Sequence, residues 1–253
     1  GDFTTAPELS PLFAQTLSHQ VKEVLAGSQS LSILEFGAGS GALAYALITE
    51  LRQQGIEPQY FILEVSPDLR ARQQERLACL QAQVQWLDST PDSFKGCVIA
   101  NEVLDAMPVS LFTFDVEGKV LEVGVIAADD STAQGLPAPF YLATRPAPEH
   151  LALLVAERVQ AQPFYLSEIN LQAEAWVRSM GTWLKHGAAI LIDYGFPQRE
   201  YYHPQRDKGT LMCHFRHFAH AEPLVLAGLQ DITAHRSEEH TSELQSHIGN
   251  TYA

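Results

Sequence analysis

A turn with three glycines in five positions lies near the start of the chain and joins two segments of different character. The stretch ILEFGAGSGALAYAL begins as a short apolar run and continues with the apolar spacing that is typical of a helix. Glycine at such a turn allows positive φ angles and a close approach of the backbone to a ligand. The stretch therefore predicts a buried strand, a tight turn and a helix, which is the unit from which α/β folds are built.

Two ligand classes use such a turn, and the residues here match both. Gly37, Gly39 and Ala42 match G-x-G-x-x-G/A, the pattern in which a helix N-terminus faces the pyrophosphate of a dinucleotide. With Glu35 in front and Gly41 behind, the same glycines also match acid-x-G-x-G-x-G, the pattern of S-adenosylmethionine methyltransferases. The turn alone does not choose between the two cofactors.

Apolar runs alternate with helical patterns along the first half of the chain. Because these runs are short and continuously apolar, they indicate strands that are buried on both faces, as in parallel sheets. The alternation predicts the α/β class with a Rossmann-like, doubly wound, mostly parallel sheet. The predicted elements are a helix over Pro7–Ala26, strands over Leu31–Phe36 and Gln59–Val65, a helix over Pro67–Leu80, and strands at VQWLD, GCVIANE and Ala188–Phe196.

The alternation is interrupted after Pro108. The stretch LFTFDVEGKVLEVGVI alternates apolar and polar residues on either side of Glu117-Gly118, which predicts a β-hairpin. We interpret residues 109–167, approximately, as an insertion on the substrate side of the domain. Beyond the hairpin we predict a loop over Ala127–Pro148 and helices near Glu149–Val159 and over Asn170–His186.

Size and charge exclude several classes of protein. A chain of 253 residues with 46% hydrophobic content can bury one good core, in one domain or two small ones. Its apolar runs are shorter than the roughly 18 residues of a membrane-spanning helix, so no span is predicted. A formal charge of -14 with only 16 Lys and Arg argues against a nucleic-acid surface, since phosphate binding needs clustered basic residues. Three cysteines without C-x-x-C spacing indicate a reduced compartment.

Both ends of the chain are expected to depart from a complete domain. The chain opens on Gly1 and the motif-like stretch GDFTTAPE, so we expect truncation there, with any targeting peptide missing. From Arg236 the sequence loses its apolar periodicity, and RSEEHTSELQS resembles a translated sequencing adapter. We predict one domain over residues 1–235 and a non-native tail over residues 236–253, with an ordinary disordered tail as the alternative.

An acidic residue stands at the end of every predicted strand. Ligands of open α/β sheets bind at the carboxyl ends of the strands, so these acids are candidate site residues. Glu64 can accept both ribose hydroxyls of either cofactor, or it can cap the following helix. Asp88 could border an adenine, and it is almost as well explained as a turn cap. The strand ends are Glu35-Phe36-Gly37, Glu64-Val65-Ser66, Asp88-Ser89, Asn101-Glu102 and Asp193-Tyr194-Gly195.

The stretch ANEVLDAMPV carries the most information about chemistry. Asn101, Glu102 and Asp105 place an amide and two carboxylates beside the expected reactive part of a cofactor. Methyl transfer from a sulfonium needs a nucleophile held in line, and carboxylates that orient a guanidinium or amine suit that reaction. Hydride transfer would more often use a His, Lys or Tyr at this place. A helix cap with solvated acids is the structural alternative.

The histidines of CHFRHFAH invite a metal interpretation that the rest of the sequence does not support. His214, His217 and His220 follow Cys213 at three-residue steps, and this spacing can converge on one helix face. No second ligand cluster accompanies them, and alternation with phenylalanine favours packing. We therefore predict no metal site.

The motifs taken together resemble the MidA family of S-adenosylmethionine-dependent methyltransferases. This family includes the mitochondrial arginine methyltransferase that assists assembly of respiratory complex I. The resemblance covers residues 1–235 and implies a class I methyltransferase fold. The motifs that carry it, in order, are GDFTTAPELSPLF, LEFGAGSGALA, EVSPDL, ANEVLDAMPV, LIDYGF, YYHPQRDKGTLMCHFRHFAH and GLQDITAH.

The resemblance, added to the strand-end acids, implies S-adenosyl-L-methionine as cofactor and assigns the candidate residues. The cofactor-binding candidates are Thr5, Glu35, Gly37, Gly39, Gly41, Glu64, Asp88 and Asn101. The catalytic candidates are Asn101, Glu102, Asp105 and Glu168, with Asp2, Thr4 and Glu8 closing over the cofactor and Asp193 and Tyr194 on the acceptor side.

The resemblance further implies methylation of an arginine in a partner protein, of the kind found among complex I subunits. It implies the cytoplasm of a bacterium, or the mitochondrial matrix of a eukaryote. Two alternatives stay open at this point: an NAD(P)-dependent oxidoreductase, and a non-catalytic assembly factor that retains the cofactor-binding fold.

Overall fold

The computed structural model describes residues 6–80, 83–127, 140–216, 218–234 and 236–237. These residues form two compact units, one of residues 6–103 and 176–193, the other of residues 104–175 and 194–237. No helix in the described ranges is long and apolar enough to cross a membrane. The helices are α1 (Ala6–Leu9), α2 (Pro11–Ser28), α3 (Ala42–Gln53), α4 (Pro67–Arg76), α5 (Glu149–Arg158), α6 (Leu171–Trp183) and α7 (Gln198–Tyr201), and a 3-10 turn covers Ala78–Leu80. The strands are β1 (Ser32–Phe36), β2 (Gln59–Leu63), β3 (Val84–Leu87), β4 (Phe94–Asn101), β5 (Ser110–Phe114), β6 (Val120–Ala127), β7 (Phe140–Pro146), β8 (Ser167–Ile169), β9 (Leu184–Ile192), β10 (Gly195–Phe196), β11 (Leu211–Phe215), β12 (Phe218–His220), β13 (Asp231–Ala234) and β14 (Arg236–Ser237).

The first unit is built around a five-stranded sheet in the order β3-β2-β1-β4-β9. All four neighbouring pairs are parallel. Helices α2 and α3 bury their apolar stripes on one face of this sheet, and the end of α6 packs on the other through Met180 and Trp183. Because both faces are covered, the central strands are apolar on both sides. The predicted α/β class with a doubly wound, mostly parallel sheet is confirmed.

The predicted N-terminal helix is interrupted at Ser10, so the prediction of one continuous helix is wrong. Ser10 is extended, with φ -156° and ψ 138°, and its side chain accepts a hydrogen bond from the backbone N–H of Leu12. The ring of Pro11 disfavours helical backbone at the residue before it, and proline suits the first position of a helix. The segment therefore ends one short helix and starts a longer one.

The predicted helix over Asn170–His186 ends too late. Helix α6 stops at Trp183, and β9 starts at the next residue. Strand β9 pairs with β4 along its whole length, from Leu184 opposite Phe94 to Ile192 opposite Asn101. Sheet pairing therefore overrides the helical pattern of its first residues.

The second unit contains an antiparallel sheet in the order β7-β6-β5-β8. The β5–β6 hairpin confirms the predicted one. The predicted loop over Ala127–Pro148 is wrong for residues 140–146, which form β7 and pair with Leu121–Ala127 of β6. The prolines and alanines of that stretch hid the strand, because β7 ends in Pro146 at an outer strand, where proline is tolerated. Helix α5 packs Leu151 and Val155 against Phe112 and Phe114 of this sheet.

The histidine-rich segment is a hairpin, so the helical spacing considered for it is wrong. Strands β11 and β12 pair antiparallel, with Cys213 opposite His220, and β13 pairs on the other side of β11. His217 lies outside the described residues. Nearby, Gly195–Phe196 pairs in parallel with Arg236–Ser237, the first two residues of the predicted tail.

A carboxyl group is buried in the first unit, on the face covered by α2 and α3. Glu35 in β1 is 2% exposed, and the fully buried Tyr60 in β2 donates a hydrogen bond to its Oε2 at 2.8 Å. Burial raises the pKa of Glu35 to about 7; the hydrogen bond from Tyr60 lowers the pKa, and the negative charge of Glu64 raises it.

This raised pKa predicts a pH-dependent stability that one substitution should remove. The ordinary pKa of 4.5 applies to Glu35 in the unfolded chain, and the folded state binds the same proton with a pKa of about 7. The contribution of this proton to the free energy of unfolding is therefore fully present below pH 4.5, and it is lost as the pH rises from 4.5 to about 7. Between pH 5 and pH 8, Glu35→Gln should gain up to about 3 kcal/mol of unfolding free energy relative to the unsubstituted chain. Urea unfolding followed by circular dichroism measures this difference, and parallel curves for the two proteins would contradict the burial argument.

Two glycines let the strands β1, β4 and β9 approach each other closely. Gly96 has φ +143° and Gly187 has φ +131°. A Cβ atom at Gly96 would overlap the carbonyl oxygen of Ser32, and one at Gly187 would overlap the carbonyl oxygen of Gly96. Because the overlapping atoms are backbone, neither strand can yield without losing its pairing.

Gly96→Ala should therefore lower the free energy of unfolding by more than about 3 kcal/mol, or prevent folding. The matched control is Gly181→Ala in α6, where a Cβ would meet nothing within 4 Å. That control should raise stability by up to about 1 kcal/mol because alanine favours helices. Chemical denaturation of both variants checks the pair; equal effects would show that the close approach at Gly96 is not limiting.

Candidate active site

The sheet of the first unit brings the carboxyl ends of its five strands to one edge. Acidic residues stand at or directly after those ends, as the sequence predicts. Since the five strands run in the same direction, their ends share that edge although they are far apart in the chain. The residues of this edge are Glu35, Glu64, Asp88, Asn101, Glu102 and Asp193.

The glycine turn follows β1 at this edge. Gly37, Gly39 and Gly41 have φ angles of +60°, +53° and +79°, which L-amino acids with side chains rarely adopt. The N–H of Gly37 donates to the carbonyl of Leu63 at 3.1 Å, which ties the turn to the end of β2. A Cβ on Gly37 would lie 3.1 Å from Cγ2 of Val103, so the turn also passes close to the segment after β4.

The turn ends at an uncapped helix N-terminus. Gly41 occupies the N-cap position of α3, and no side chain there caps the helix. The first N–H groups of α3 and the positive end of its dipole are therefore suited to an anionic group of a ligand. The carboxylate of an amino-acid moiety fits this donor set, and so does a phosphate.

Glu64 is held in one orientation at the end of β2. Its Oε1 accepts from the N–H of Ser66 at 2.9 Å, and its Oε2 accepts from Nε2 of Gln73 at 3.0 Å. The neighbouring Val65 is 89% exposed, an unusual position for an apolar side chain next to a fixed carboxylate. This combination suits a ligand with hydroxyl groups beside a flat apolar ring.

Asp88 lies at the end of β3 in a different environment. Its side chain is 87% exposed and forms an ion pair with Arg70 at 2.5 Å. Its predicted contact with an adenine stays a prediction.

Glu102 combines a strained backbone with an acidic neighbour. Its φ is +54°, and its N–H donates to the carbonyl of Ile192 at 2.8 Å, which joins the ends of β4 and β9. Burial raises the pKa of Glu102, the charge of Asp193 raises it further, and the hydrogen bond from Asn101 lowers it. A residue other than glycine at positive φ costs free energy, and such residues are frequent at functional sites.

The two remaining catalytic candidates belong to the second unit. Asp105 is 6% exposed, and its carbonyl accepts from the N–H of Ala234 at 2.8 Å. Glu168 is fully buried in β8, and its Oε1 accepts from the hydroxyl of Tyr201 at 2.8 Å and from the N–H and hydroxyl of Thr210. Burial raises the pKa of Glu168, and these hydrogen bonds lower it in part. The described contacts of Glu168 are all made inside its own unit.

Of the four N-terminal candidates, the structure describes only Glu8. Asp2, Thr4 and Thr5 lie outside the described residues. Glu8 in α1 accepts a hydrogen bond from the hydroxyl of Ser40 at 2.5 Å. Helix α1 is thus attached to the glycine turn at Ser40, between Gly39 and Gly41.

Sequence reasoning missed Gln73, which contacts both Glu64 and the glycine turn. In the sequence, Gln73 stands in PDLRARQQER, a run that reads as a solvated helix face. Its complete burial was not visible in that pattern. Among the described residues no group of three His, Cys, Asp or Glu side chains could hold a metal ion.

Comparisons with known proteins agree with this geometry. A family model described as S-adenosyl-L-methionine-dependent methyltransferase matches residues 12–249, which include part of the predicted tail. Two crystal structures of superfamily members from Burkholderia thailandensis share this fold. The first is bound to S-adenosyl-homocysteine and has a TM-score of 0.87 at 46% identity. The match covers 100% of this chain and 64% of the chain in that crystal structure. The second has a TM-score of 0.88 at 47% identity and covers 98% of this chain and 66% of its own.

A curated relative is more distant. Protein arginine methyltransferase NDUFAF7, mitochondrial, of Danio rerio is 26% identical over 92% of this chain and 59% of its own length. The chain thus spans 59% to 66% of the length of these relatives. The family model matches most of the chain and supports S-adenosyl-L-methionine, not a dinucleotide, as the cofactor. The chain belongs to the S-adenosyl-L-methionine-dependent methyltransferases, in agreement with its resemblance to the MidA family.

Proposed function

We propose that this protein transfers a methyl group from S-adenosyl-L-methionine to a guanidinium nitrogen of an arginine in a partner protein. The observation that carries this proposal is the carboxylate pair Glu102 and Asp193 at the ends of β4 and β9, where each raises the local negative potential. An acceptor with positive charge relieves that repulsion, and a guanidinium offers several N–H donors to a carboxylate.

The cofactor side of the site consists of the glycine turn, the N-terminus of α3, Glu64 and Val65. The N-terminus of α3 and the turn of Gly37, Gly39 and Gly41 would bind the carboxylate of the amino-acid part. Glu64 would accept the ribose hydroxyls, and the exposed Val65 would contact the adenine. When bound, S-adenosyl-L-methionine supplies an electrophilic methyl on a sulfonium; transfer breaks its S–C bond, forms an N–C bond and releases a proton.

The acceptor side depends on Glu102. In its ionised form this carboxylate would accept hydrogen bonds from the guanidinium, orient one nitrogen toward the methyl and accept the proton that this nitrogen loses as the N–C bond forms. The hydrogen bond from Asn101 holds the carboxylate in place. Asp105 and Glu168 stay predicted catalytic residues; the network of Glu168 with Tyr201 and Thr210 also supports a role in shaping the second unit.

The Danio rerio relative, a protein arginine methyltransferase, supports the choice of arginine, and the resemblance to the MidA family supports a class of acceptor. We propose a subunit of respiratory complex I as the partner, in the cytoplasm of a bacterium or the matrix of a mitochondrion. The cysteines Cys79, Cys97 and Cys213 are free thiols, which suits a reduced compartment.

The purified protein should bind S-adenosyl-L-methionine and S-adenosyl-homocysteine in calorimetry, and should bind neither NAD nor NADP. With labelled cofactor and a host-cell lysate, it should place label on arginine, identified by mass spectrometry of the labelled peptides. Glu102→Gln should lower the rate about 100-fold or more while changing S-adenosyl-homocysteine affinity by less than about 3-fold.

The matched control is Glu57→Gln, which removes an exposed carboxylate paired with Arg52 after α3. It should leave transfer and binding unchanged. Binding of a nicotinamide cofactor alone would overturn the methyltransferase proposal, and label on another residue type would overturn the choice of arginine.

Asp193→Asn should move the acidic limb of the pH profile of kcat/KM to lower pH. The ionised form of Glu102 is the active one, and removal of the neighbouring negative charge lowers its pKa. Because burial is the larger cause, the limb should stay above the range of an ordinary exposed carboxyl. Initial rates between pH 5 and 9 measure the limb, and an unmoved limb would show that Glu102 ionisation does not control transfer.

A further inference from the structure

A buried amide on α4 connects three separate segments of the first unit. Gln73 is 0% exposed, although its helix is otherwise polar. Its Nε2 donates to the carbonyl of Gly39 at 2.9 Å and to Oε2 of Glu64 at 3.0 Å. Its Oε1 accepts from the indole N–H of Trp86 in β3 at 3.0 Å.

These three bonds leave the amide with a single possible orientation. A glutamine side chain has two N–H donors, and both are used on oxygen atoms, while its carbonyl faces the donor of Trp86. A flipped amide would put its carbonyl oxygen against the two acceptors at Gly39 and Glu64. The arrangement is therefore fixed by the chemistry of its neighbours.

The same bonds hold the side chain of Glu64 in place although its charge interacts unfavourably with Glu35. Glu64 and Glu35 repel each other, since the charge of Glu64 raises the pKa of Glu35. Because Glu64 is only partly buried, packing alone does not fix its side chain. With Oε1 on the N–H of Ser66 and Oε2 on Gln73, it stays in place, and each oxygen keeps a lone pair for a further donor.

We propose that Gln73 is a positioning residue for recognition of the cofactor ribose. It fixes the rotamer of Glu64 so that both carboxylate oxygens face the two ribose hydroxyls, and it joins that carboxylate to the glycine turn through Gly39. Ordering the carboxylate in advance removes an entropic cost from binding. This inference rests on the proposed contact between Glu64 and the ribose.

The experiment compares two ligands by calorimetry: S-adenosyl-homocysteine and its analogue that lacks both ribose hydroxyls. The Kd of the analogue divided by the Kd of S-adenosyl-homocysteine measures how much the hydroxyls contribute to binding. In the Glu64→Gln variant this ratio should be at least tenfold smaller than in the unsubstituted protein. Gln73→Met, which keeps the side-chain volume and removes both donors, should reduce it roughly tenfold through weaker S-adenosyl-homocysteine binding, with the analogue changed less than about twofold.

The matched control is Gln83→Met, because Gln83 bonds to the exposed Glu57 and contacts neither Glu64 nor the turn. It should leave the ratio unchanged. Thermal unfolding without ligand verifies the fold of each variant. Should Gln73→Met not fold, Gln73→Asn keeps an amide that is too short to reach Glu64, and the same loss of ratio is expected.

The outcomes separate the two levels of the argument. If Gln73→Met or Gln73→Asn weakens both ligands equally, Gln73 only supports the fold and the inference is overturned. If Glu64→Gln lowers the ratio and the Gln73 variants do not, the inference fails while the ribose contact stands. If Glu64→Gln leaves the ratio intact, the proposed ribose contact fails, and the role of Gln73 fails with it.

Discussion

The parallel pairing of β1 between β2 and β4 is the constraint on which the rest of the structure depends. It requires the strands to run in one direction, which brings acids from distant parts of the chain to a single edge. It also requires close backbone contact, which Gly96 and Gly187 allow by having no Cβ. The glycine turn is held by this pairing as well, since the N–H of Gly37 bonds to the end of β2. Site and core are thus products of one arrangement of strands.

Such an edge concentrates negative charge, and neutral groups donate hydrogen bonds to its carboxylates. Glu64 has a backbone N–H and the amide of Gln73, and Glu102 has the amide of Asn101. These partners hold the carboxyl groups in place without cancelling their charge, which Arg or Lys would do. The potential stays available for a ligand that carries positive charge, and both the sulfonium of the methyl donor and a guanidinium do so. The outlying Asp88, by contrast, is paired with Arg70.

The sequence predicts the parts of this fold that depend on local patterns. Continuous apolar runs predict the buried strands, and the acids after them predict the site edge, because both follow from the geometry of parallel sheets. The start of β9 and the strand β7 could not be predicted, since each is decided by pairing with a distant strand. Gln73 gives no signal in a polar helix; its burial depends on Trp86 and Glu64, which only the folded chain brings to it. The break at Ser10, by contrast, follows from Pro11 and was overlooked.

The left-handed backbone of Glu102 lowers the stability of the fold at a residue that we propose for the chemistry. Most side chains are strained in that conformation, whereas glycine has no Cβ to clash and asparagine tolerates it through local hydrogen bonds of its short side chain. Directed evolution that rewards heat resistance alone would therefore drift toward those residues at position 102 and discard the carboxylate that we propose for the acceptor side. A programme to stabilise this protein therefore has to select for turnover at every round, because the strained position 102 carries the carboxylate that we propose for the chemistry.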